Sequence, residues 1–390
     1  MPHITTVNNR TLPPAITYGF LATTGSMGTQ WYKTIADLFA DALSTRPGDR
    51  VFFQLTGRNP GGVPANLNNY LEHIDLSPSP SDAPSGNGFT GVAEVSGPPF
   101  FDPTAVGHEA KVPDSLPLRV PIDCNRYLPN PVSEERALSY KHDSTELWNP
   151  KYKKTIRGAK SLTSITPSEG DQLLELINGA NDREYKVTGQ SYPGDASQEI
   201  SINDRLGQED GSTGVRSGPP DSIADLSLDE IPIVSGSRFK VEKTLEAWLM
   251  EMIDSEHKGL RQVFGPVEEL EWFSNYIPYG VSGKNMDGLA FHSRDGIQYK
   301  ISTIELKRGK AGTSALNQVM GYARWVSNFL ADGDSSLIQP ILIARDFSED
   351  AVRIAKAQIG PRPPMLVSYE IVDESCVISI DAGHPVSYAR

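Results

Sequence analysis

Two acidic residues and a lysine are the side chains of this chain best placed by type and spacing to do chemistry together. Glu305 and Lys307 stand two residues apart in an apolar run, and Asp287 precedes another apolar run eighteen residues before Glu305. Side chains alternate along a strand, so Glu305 and Lys307 are predicted to share one face. Two neighbouring carboxylates repel unless a cation lies between them, and their hard oxygen ligands suit Mg²⁺ or Mn²⁺. A lysine beside them can orient a water molecule for attack on phosphorus.

A β-hairpin is the element that must bring these residues together. The apolar runs at 288–291 and 301–306 are separated by a polar turn at 293–296. This pattern predicts an antiparallel pair of strands that places Asp287 next to Glu305. A Glu-x-Lys pair on a strand is by itself more often part of a solvated face, so further elements have to converge on the same site.

Two amphipathic helices are predicted around this hairpin. Upstream, the apolar residues at 241, 245, 248, 249 and 252 follow helical spacing. Glu242 and Glu246 lie one turn apart beside that stripe, and the spacing does not decide which of them points to the carboxylate pair. Downstream, residues 314–329 form a second amphipathic helix, in which Gln318 and Tyr322 lie one turn apart on one side.

The order of these motifs resembles a known nuclease family. Residues from about 238 to 372 contain VEKTL, MDG, IELKRG and QVMGY in that order, followed by an apolar run at 340–344 and a helical pattern at 348–357. This order is similar to that of the nuclease domain of the NucS (EndoMS) family, in the RecB-like PD-(D/E)xK superfamily. Two features depart from the family pattern: the long spacer between Glu242 and Asp287, and Met286 where an aliphatic residue usually precedes the aspartate.

The resemblance implies roles for individual residues. Asp287, Glu305, Lys307 and Glu242 would form the catalytic set, Asp287 and Glu305 would bind Mg²⁺ or Mn²⁺, and Gln318 would support them. The VEKTL motif favours Glu242 over Glu246 as the helix residue of the site.

The composition fits a chain of two domains without a membrane segment. A length of 390 residues is typical of two domains. No stretch approaches the roughly 18 apolar residues of a membrane span, and the first residues lack the features of a signal peptide. Cys124 and Cys376 are far apart and support neither a disulfide framework nor a zinc site. These features predict a cytoplasmic protein.

The net charge of −13 opposes binding to nucleic acid, because phosphate contacts need Lys and Arg. Part of this charge is local, since residues 180–236 include 11 acidic and 4 basic residues. The rest of the chain can still present basic patches. The candidates for contacts to a DNA backbone are Lys154, Arg157, Lys160, Arg308 and Lys310.

The first half of the chain has the signals of short strands with a few helices. Its predicted elements are a helix at 31–43, a turn at 46–49, strands at 50–55, 89–95 and 118–122, and a helix that begins after Thr166. A Thr cap and Pro167 in the first turn mark the start of that last helix. Short strands with turn signals predict a small β-barrel.

This half resembles the PUA superfamily, and within it the EVE and YTH type of modified-base reader. The resemblance rests on GDRVFF at 48–53, GVAEV at 91–95 and the basic run that starts at Arg157. It implies a pocket for a flipped nucleotide, in which stacking on an aromatic ring contributes roughly 1–3 kcal/mol and offsets the cost of flipping. For each aromatic residue the alternative is a core or ordinary surface position. The candidates are Trp31, Tyr32, Phe53 and Trp148, together with Phe100 and Phe101.

The predicted fold class is α+β and α/β, in three parts. Residues 12–178 form a PUA/EVE-like β-barrel with helices, and residues 237–390 form a restriction-endonuclease-like mixed sheet flanked by helices. Residues 179–236 are rich in Gly, Ser, Asp and Pro and are predicted to be an acidic linker.

These parts together predict a metal-dependent endonuclease that acts on double-stranded DNA. The N-terminal domain would recognise a modified base, as in restriction of foreign DNA, and a homodimer is expected because a double-strand cut needs two active sites. One alternative is a NucS-like repair endonuclease for mismatched, deaminated or branched DNA. Another is a non-catalytic nucleic-acid reader, against which the intact Asp287, Glu305 and Lys307 argue.

Overall fold

A computed structural model describes most of the chain as a mixed α+β protein of two compact units. The N-terminal unit comprises Met1–Ile200 and Arg216–Glu230, and the C-terminal unit comprises Ser201–Val215 and Ile231–Arg390. The described residues are 1–8, 11–22, 31–56, 76–77, 87–102, 117–128, 130–139, 162–182, 184–192, 198–208, 218, 221, 227–280 and 284–380.

The N-terminal unit is built on a mixed eight-stranded sheet. Its helices are α1 (Leu12–Tyr18), α2 (Trp31–Ala42), α3 (Glu134–Ser139) and α4 (Pro167–Gly179). Its strands are β1 (His3–Val7), β2 (Phe20–Ala22), β3 (Arg50–Leu55), β4 (Leu76–Ser77), β5 (Gly88–Val95), β6 (Phe100–Phe101), β7 (Leu118–Asp123), β8 (Arg126–Tyr127), β9 (Leu162–Ser164), β10 (Tyr185–Val187) and β11 (Gln198–Glu199). The predicted helices and strands of this half are therefore present within one or two residues.

The strand order of the large sheet is β11-β6-β7-β5-β3-β1-β9, with β2 also paired to β7. The strands β4, β10 and β8 form a separate three-stranded sheet. The start of α4 matches its sequence signal, because the Thr166 side chain accepts from Glu169 N and the Glu169 carboxylate accepts from Thr166 N in a capping box. The closed barrel that the sequence predicts here stays a prediction.

The C-terminal unit contains a six-stranded sheet and a small two-stranded one. Its helices are α5 (Glu242–Met252), α6 (Lys258–Phe264), α7 (Thr313–Leu330) and α8 (Glu349–Ala357). Its strands are β12 (Val234–Ser235), β13 (Arg238–Phe239), β14 (Leu270–Tyr279), β15 (Lys284–Arg294), β16 (Ile297–Ala311), β17 (Ile338–Phe347), β18 (Met365–Val372) and β19 (Ser375–Ile380).

The six strands of the large sheet lie in chain order, from β14 to β19. The pairs β14–β15, β15–β16 and β18–β19 are antiparallel, whereas β16–β17 and β17–β18 are parallel. Each parallel connection contains a helix, α7 and then α8, as parallel pairing requires. The core is formed where α5 and α7 pack on the central strands. Trp248, Leu306 and Val319 lie in this core and are fully buried.

Part of the segment predicted as a linker is packed structure. Strand β10 pairs with β4 and β8, and β11 pairs with β6. Further along, Ile202 and Leu206 are 0% and 1% exposed, and Trp248 Nε1 donates to Asn203 Oδ1 at 3.2 Å. The polar composition of this segment predicts a linker. A few buried apolar residues and short backbone pairings are nevertheless enough to pack these parts of it. The division between the two units therefore falls inside residues 179–236, after Ile200.

None of the helices in the part of the chain that the structure describes combines the length and the apolar content needed to cross a bilayer.

Candidate active site

The hairpin of β15 and β16 brings the two predicted acidic residues side by side. Its two-residue turn, Asp295 and Gly296, has positive φ at both positions (52° and 76°), as a type I′ turn requires. Pairing runs through Gly288 opposite Ile304, and just beyond it the Asp287 carboxylate accepts from Leu306 N, next to Glu305. The predicted hairpin is therefore formed, and it is longer than the two apolar runs indicated.

Glu305 is completely buried and is held by groups from a second element. Its Oε2 accepts from the Tyr322 hydroxyl of α7 at 2.7 Å, and Gln318 Nε2 donates to that hydroxyl at 2.5 Å. The Tyr322 hydroxyl also lies 3.1 Å from Asn285 O. Burial and the charge of Glu305 raise the pKa of Tyr322 above its usual range, so the hydroxyl stays protonated as a donor. Helix α7 thus fixes the orientation of the Glu305 carboxylate.

Asp287 is partly buried at the start of the hairpin. Its Oδ2 accepts from Leu306 N on the neighbouring strand at 2.8 Å. Burial and the negative charges of Glu305 and Glu246 raise the pKa of the Asp287 carboxyl above its ordinary value. The Asp287 carboxyl therefore binds a proton more readily than a free aspartate, and a cation bound beside it would take the place of that proton.

Lys307 is the cation closest to this charge. Its Nζ lies 2.6 Å from Glu305 Oε1 and 3.5 Å from Glu242 Oε1, and it donates to Leu306 O at 2.8 Å. Burial acts to lower the pKa of Lys307, but the hydrogen bond and charge of Glu305 outweigh it and raise the pKa. Lys307 is therefore an ammonium group at neutral pH.

The two glutamates of α5 have different environments, which the sequence could not resolve. Glu242 is the first residue of the helix, and its side chain is 41% exposed beside Lys307. Glu246 is 2% exposed; Asn275 Nδ2 donates to its Oε1 and Lys243 Nζ donates to its Oε2, each at 2.7 Å. Glu242 thus contacts the lysine of the site, whereas Glu246 acts on Asp287 through its charge.

A divalent cation fits the chemistry of this corner. Glu305 Oε1 is buried, and its close partner is the Lys307 ammonium group at 2.6 Å. Within the described residues, no group of three or more His, Cys, Asp or Glu side chains is arranged as a complete metal cage. Mg²⁺ is commonly bound by one or two carboxylates with water completing its shell, and Asp287 and Glu305 supply that pair.

A strained residue lies beside the carboxylates. In β14, Asn275 pairs with Gly288 and Ile277 pairs with Met286, which puts Tyr276 opposite Asp287. Tyr276 has φ of 52°, a conformation that costs a bulky residue about 1–3 kcal/mol and is concentrated at functional sites. Lys243 Nζ lies 4.9 Å from the centroid of its ring.

Sequence reasoning missed Asn275 and Tyr276 and gave Tyr322 no role. The Gln318 and Tyr322 spacing was a signal for the third of these, since both side chains lie on one side of α7. Asn275 and Tyr276 lie on β14, for which the sequence gave no prediction.

The predicted base-binding residues of the N-terminal unit have mixed placements. Phe53 is 1% exposed in β3 and Phe101 is 2% exposed in β6, so both are core residues and offer no face on which a base could stack. Tyr32 in α2 and Phe100 in β6 are half-buried. Trp148 and the side chain of Trp31 lie outside the described residues.

The cations predicted to contact a DNA backbone are partly within the described residues. Arg308 is exposed on β16 and donates to Lys240 O, and Lys310 is 61% exposed with Asp346 Oδ2 at 4.0 Å. Lys154, Arg157 and Lys160 lie outside the described residues.

Comparison with known proteins gives partial structural likenesses. A repair endonuclease from Pyrococcus abyssi matches at 24% identity over 23% of this chain, with a TM-score of 0.17. A complex of EndoMS with double-stranded DNA matches at 24% identity over 26% of this chain, with a TM-score of 0.18. This chain covers 38% and 41% of the lengths of those two chains.

A structural-genomics target from Pseudomonas putida matches at 18% identity, over 45% of this chain and 99% of that chain, with a TM-score of 0.27. No protein-family model matches the chain, and no curated protein does.

Proposed function

We propose that the protein is a metal-dependent nuclease that hydrolyses phosphodiester bonds of DNA. The observation that carries the proposal is the buried pair of Asp287 and Glu305, with an ammonium group, Lys307, 2.6 Å from one Glu305 oxygen. A pair of neighbouring carboxyl groups is costly to bury without a function or a cation to offset it. Hydrolysis at phosphorus is the chemistry that uses both a metal site and a neighbouring cation.

In this proposal the two carboxyl groups bind the metal ion and their hydrogen-bond donors orient them. Asp287 and Glu305 would hold Mg²⁺ or Mn²⁺. When bound, the metal neutralises charge on the phosphoryl oxygens and lowers the pKa of water. Leu306 N and the Tyr322 hydroxyl orient the two carboxylates, which reduces the reorganisation needed when the substrate arrives.

Lys307 would act as a cation and donor. Because its pKa is raised, it is protonated at neutral pH and cannot accept a proton from water. Its Nζ can donate to a phosphoryl oxygen or orient the attacking water molecule. Glu242, exposed at the start of α5 and 3.5 Å from Lys307 Nζ, helps to keep that charge in place.

We propose DNA with a modified base as the substrate, bound by a homodimer. The motifs of residues 48–53 and 91–95 support the N-terminal unit as the base-recognition part, with Tyr32, Trp31 and Trp148 as the remaining candidates for stacking. Exposed cations on β16, Arg308 and Lys310, support contact with the backbone. Mismatched, deaminated or branched DNA is the alternative substrate.

A substrate panel tests this function. Wild-type protein is incubated with Mg²⁺ or Mn²⁺ and with plasmids bearing different base modifications, beside unmodified plasmid and mismatched duplexes. We expect cleavage that EDTA stops and that is fastest on one modified substrate. Preference for mismatched DNA would assign the repair function instead, and binding of DNA without cleavage of any substrate would make the protein a reader and reject the nuclease proposal.

A further inference from the structure

A polar groove of about 530 Å³ lies in the C-terminal unit, near the carboxyl ends of β16 and β17 and against β18 and β19. It is lined by residues of β16, β17, β18 and β19, including Gly309, Arg345, Ser368 and Ser379, and Arg238 of β13 closes one side. Carboxyl ends of neighbouring parallel strands are a common location for ligand sites in α/β sheets.

Three cations and two carboxylates line this groove. The cations are Arg238, Lys310 and Arg345, and the carboxylates are Asp346 and Glu370. All five side chains belong to exposed residues, so each can reach a ligand in the groove without being uncovered first.

The cations are only partly neutralised by their neighbours. Arg345 is oriented by a hydrogen bond from its Nη2 to Ser237 Oγ at 2.9 Å. Lys310 and Asp346 are 4.0 Å apart with both side chains more than half exposed, an ion pair of little energetic value. The groove therefore has an excess of positive charge, in a chain whose net charge is −13.

The groove and the candidate active site share strand β16. Lys310 lies three residues beyond Lys307, or about 10 Å at the rise of a strand. A second link runs through Arg308, which donates to Lys240 O two residues before Glu242 and whose carbonyl accepts from the Tyr369 hydroxyl at 2.6 Å.

We propose that this groove is a subsite for a backbone phosphate of the DNA strand that is cut, close to the scissile phosphate. Arg345 and Arg238 are its phosphate-binding residues, and Lys310 connects it to the catalytic lysine. Asp346 and Glu370 limit the affinity, so that the contact orients the strand without preventing release. The inference rests on the proposed nuclease function and adds a named contact to it.

Equilibrium binding in EDTA tests the subsite without requiring catalysis. The affinity of a fluorescein-labelled duplex is measured by anisotropy at several salt concentrations, for wild type and for the double variant Arg238→Gln/Arg345→Gln. We expect about tenfold weaker binding and a salt slope smaller by about 2, because two phosphate contacts are lost. Glu370→Gln should change affinity in the opposite direction, by about threefold, since it removes a repulsive charge.

Arg353→Gln is the matched control. Arg353 is 72% exposed on α8, pairs with Asp350 at 2.7 Å and is not among the groove residues. This variant removes one positive charge without touching the groove, so its affinity and salt slope should stay close to those of wild type.

Three results would overturn the subsite. The double variant could bind DNA with the affinity and slope of wild type, or Arg353→Gln could weaken binding as much as the double variant does. Calorimetry with inorganic phosphate could also show binding that the double variant loses while duplex affinity stays unchanged, which would assign the groove to a small phosphorylated ligand. The nuclease proposal fails separately, if wild type binds the duplex but does not cleave any substrate when Mg²⁺ or Mn²⁺ replaces EDTA.

Discussion

The two ends of the β15–β16 hairpin bury ionisable groups of opposite sign. At one end, Asp287 and Glu305 lie together with Lys307 as their nearest cation. At the turn end, His292 pairs with Lys300, which is 8% exposed and donates to Phe264 O at 2.7 Å. Both ends belong to the same two strands, so their difference comes from the side chains and their partners.

The buried ionisable groups at the two ends differ in how many of them keep their charge at neutral pH. Burial and the charge of Arg362 lower the pKa of Lys300 to about 7, and burial lowers the pKa of His292, so these bases can lose their charge near neutral pH. At the other end an ion pair is retained, because Lys307 stays protonated beside Glu305. Burial and the charges of Glu305 and Glu246 raise the pKa of Asp287 to about 8, so that carboxyl favours its neutral form until a cation is bound. An ion pair beside a carboxyl of strongly raised pKa marks the end that we assign to catalysis.

The largest effect expected from this comparison is loss of cleavage in Glu305→Ala. The substitution removes a proposed metal ligand, and a loss of about 4 kcal/mol of transition-state stabilisation corresponds to about 10³-fold in rate. Affinity for DNA should change little. Glu269→Ala, which removes a carboxylate near the turn end, is the control and should cleave at the wild-type rate. An equal decrease in cleavage rate in both variants would contradict the assignment of catalysis to one end of the hairpin.

The next largest expected effect is a dependence of the free energy of unfolding on pH, caused by Lys300 at the turn end of the hairpin. The folded pKa of Lys300, about 7, lies below its value of 10.5 in the unfolded chain. Between these values the unfolded state binds one more proton, so this group makes the free energy of unfolding rise with pH, by up to about 1.4 kcal/mol per unit.

Urea unfolding of wild type and Lys300→Met at pH 7 and pH 9 measures this contribution. The gain in stability between the two pH values should be smaller in the variant. An identical gain in both proteins would mean that Lys300 is not buried in its neutral form.

Two tyrosines that each donate to a buried or partly buried glutamate allow a matched comparison of cleavage rates. The Tyr322 hydroxyl donates to Glu305 Oε2 at 2.7 Å, and the Tyr299 hydroxyl donates to Glu269 Oε2 at 2.5 Å near the turn. Tyr322→Phe should lower the cleavage rate about tenfold, the equivalent of one hydrogen bond to a charged group. Tyr299→Phe should leave the rate unchanged and lower only the stability, and a reversed pattern of rates would contradict the assignment.

Gln318→Ala should have the smallest effect on cleavage. Gln318 touches Glu305 only through the Tyr322 hydroxyl, to which it donates at 2.5 Å. We expect about a threefold decrease in rate, with no further decrease when the change is added to Tyr322→Phe, because both act through one hydroxyl. Additive losses in the double variant would show that Gln318 contacts the substrate or metal independently.

Much of this site could be predicted from the sequence because its elements are local. The hairpin of β15 and β16 has continuous apolar runs and an Asp-Gly turn, and α5 and α7 have clear helical periodicity. The contact of Asn275 with Glu246 could not be predicted, since it depends on the pairing of β14 and on the rotation of α5.

The errors have physical reasons as well. Phe53 was assigned to a base pocket, but an aromatic residue in a short strand carries no sign of which face is buried. Residues 201–206 were assigned to a linker because their composition is polar, although Ile202 and Leu206 are enough to anchor them in the C-terminal unit.

Binding of Mn²⁺ to the DNA-free protein tests the central claim most directly, because it needs neither the right substrate nor turnover. Calorimetric titrations compare wild type with Glu305→Gln, which keeps the size of the side chain and removes its charge, and with Glu269→Gln at the turn end. The account predicts binding by wild type and Glu269→Gln, and at least about tenfold weaker binding by Glu305→Gln. Equal Mn²⁺ affinity in wild type and Glu305→Gln would contradict it.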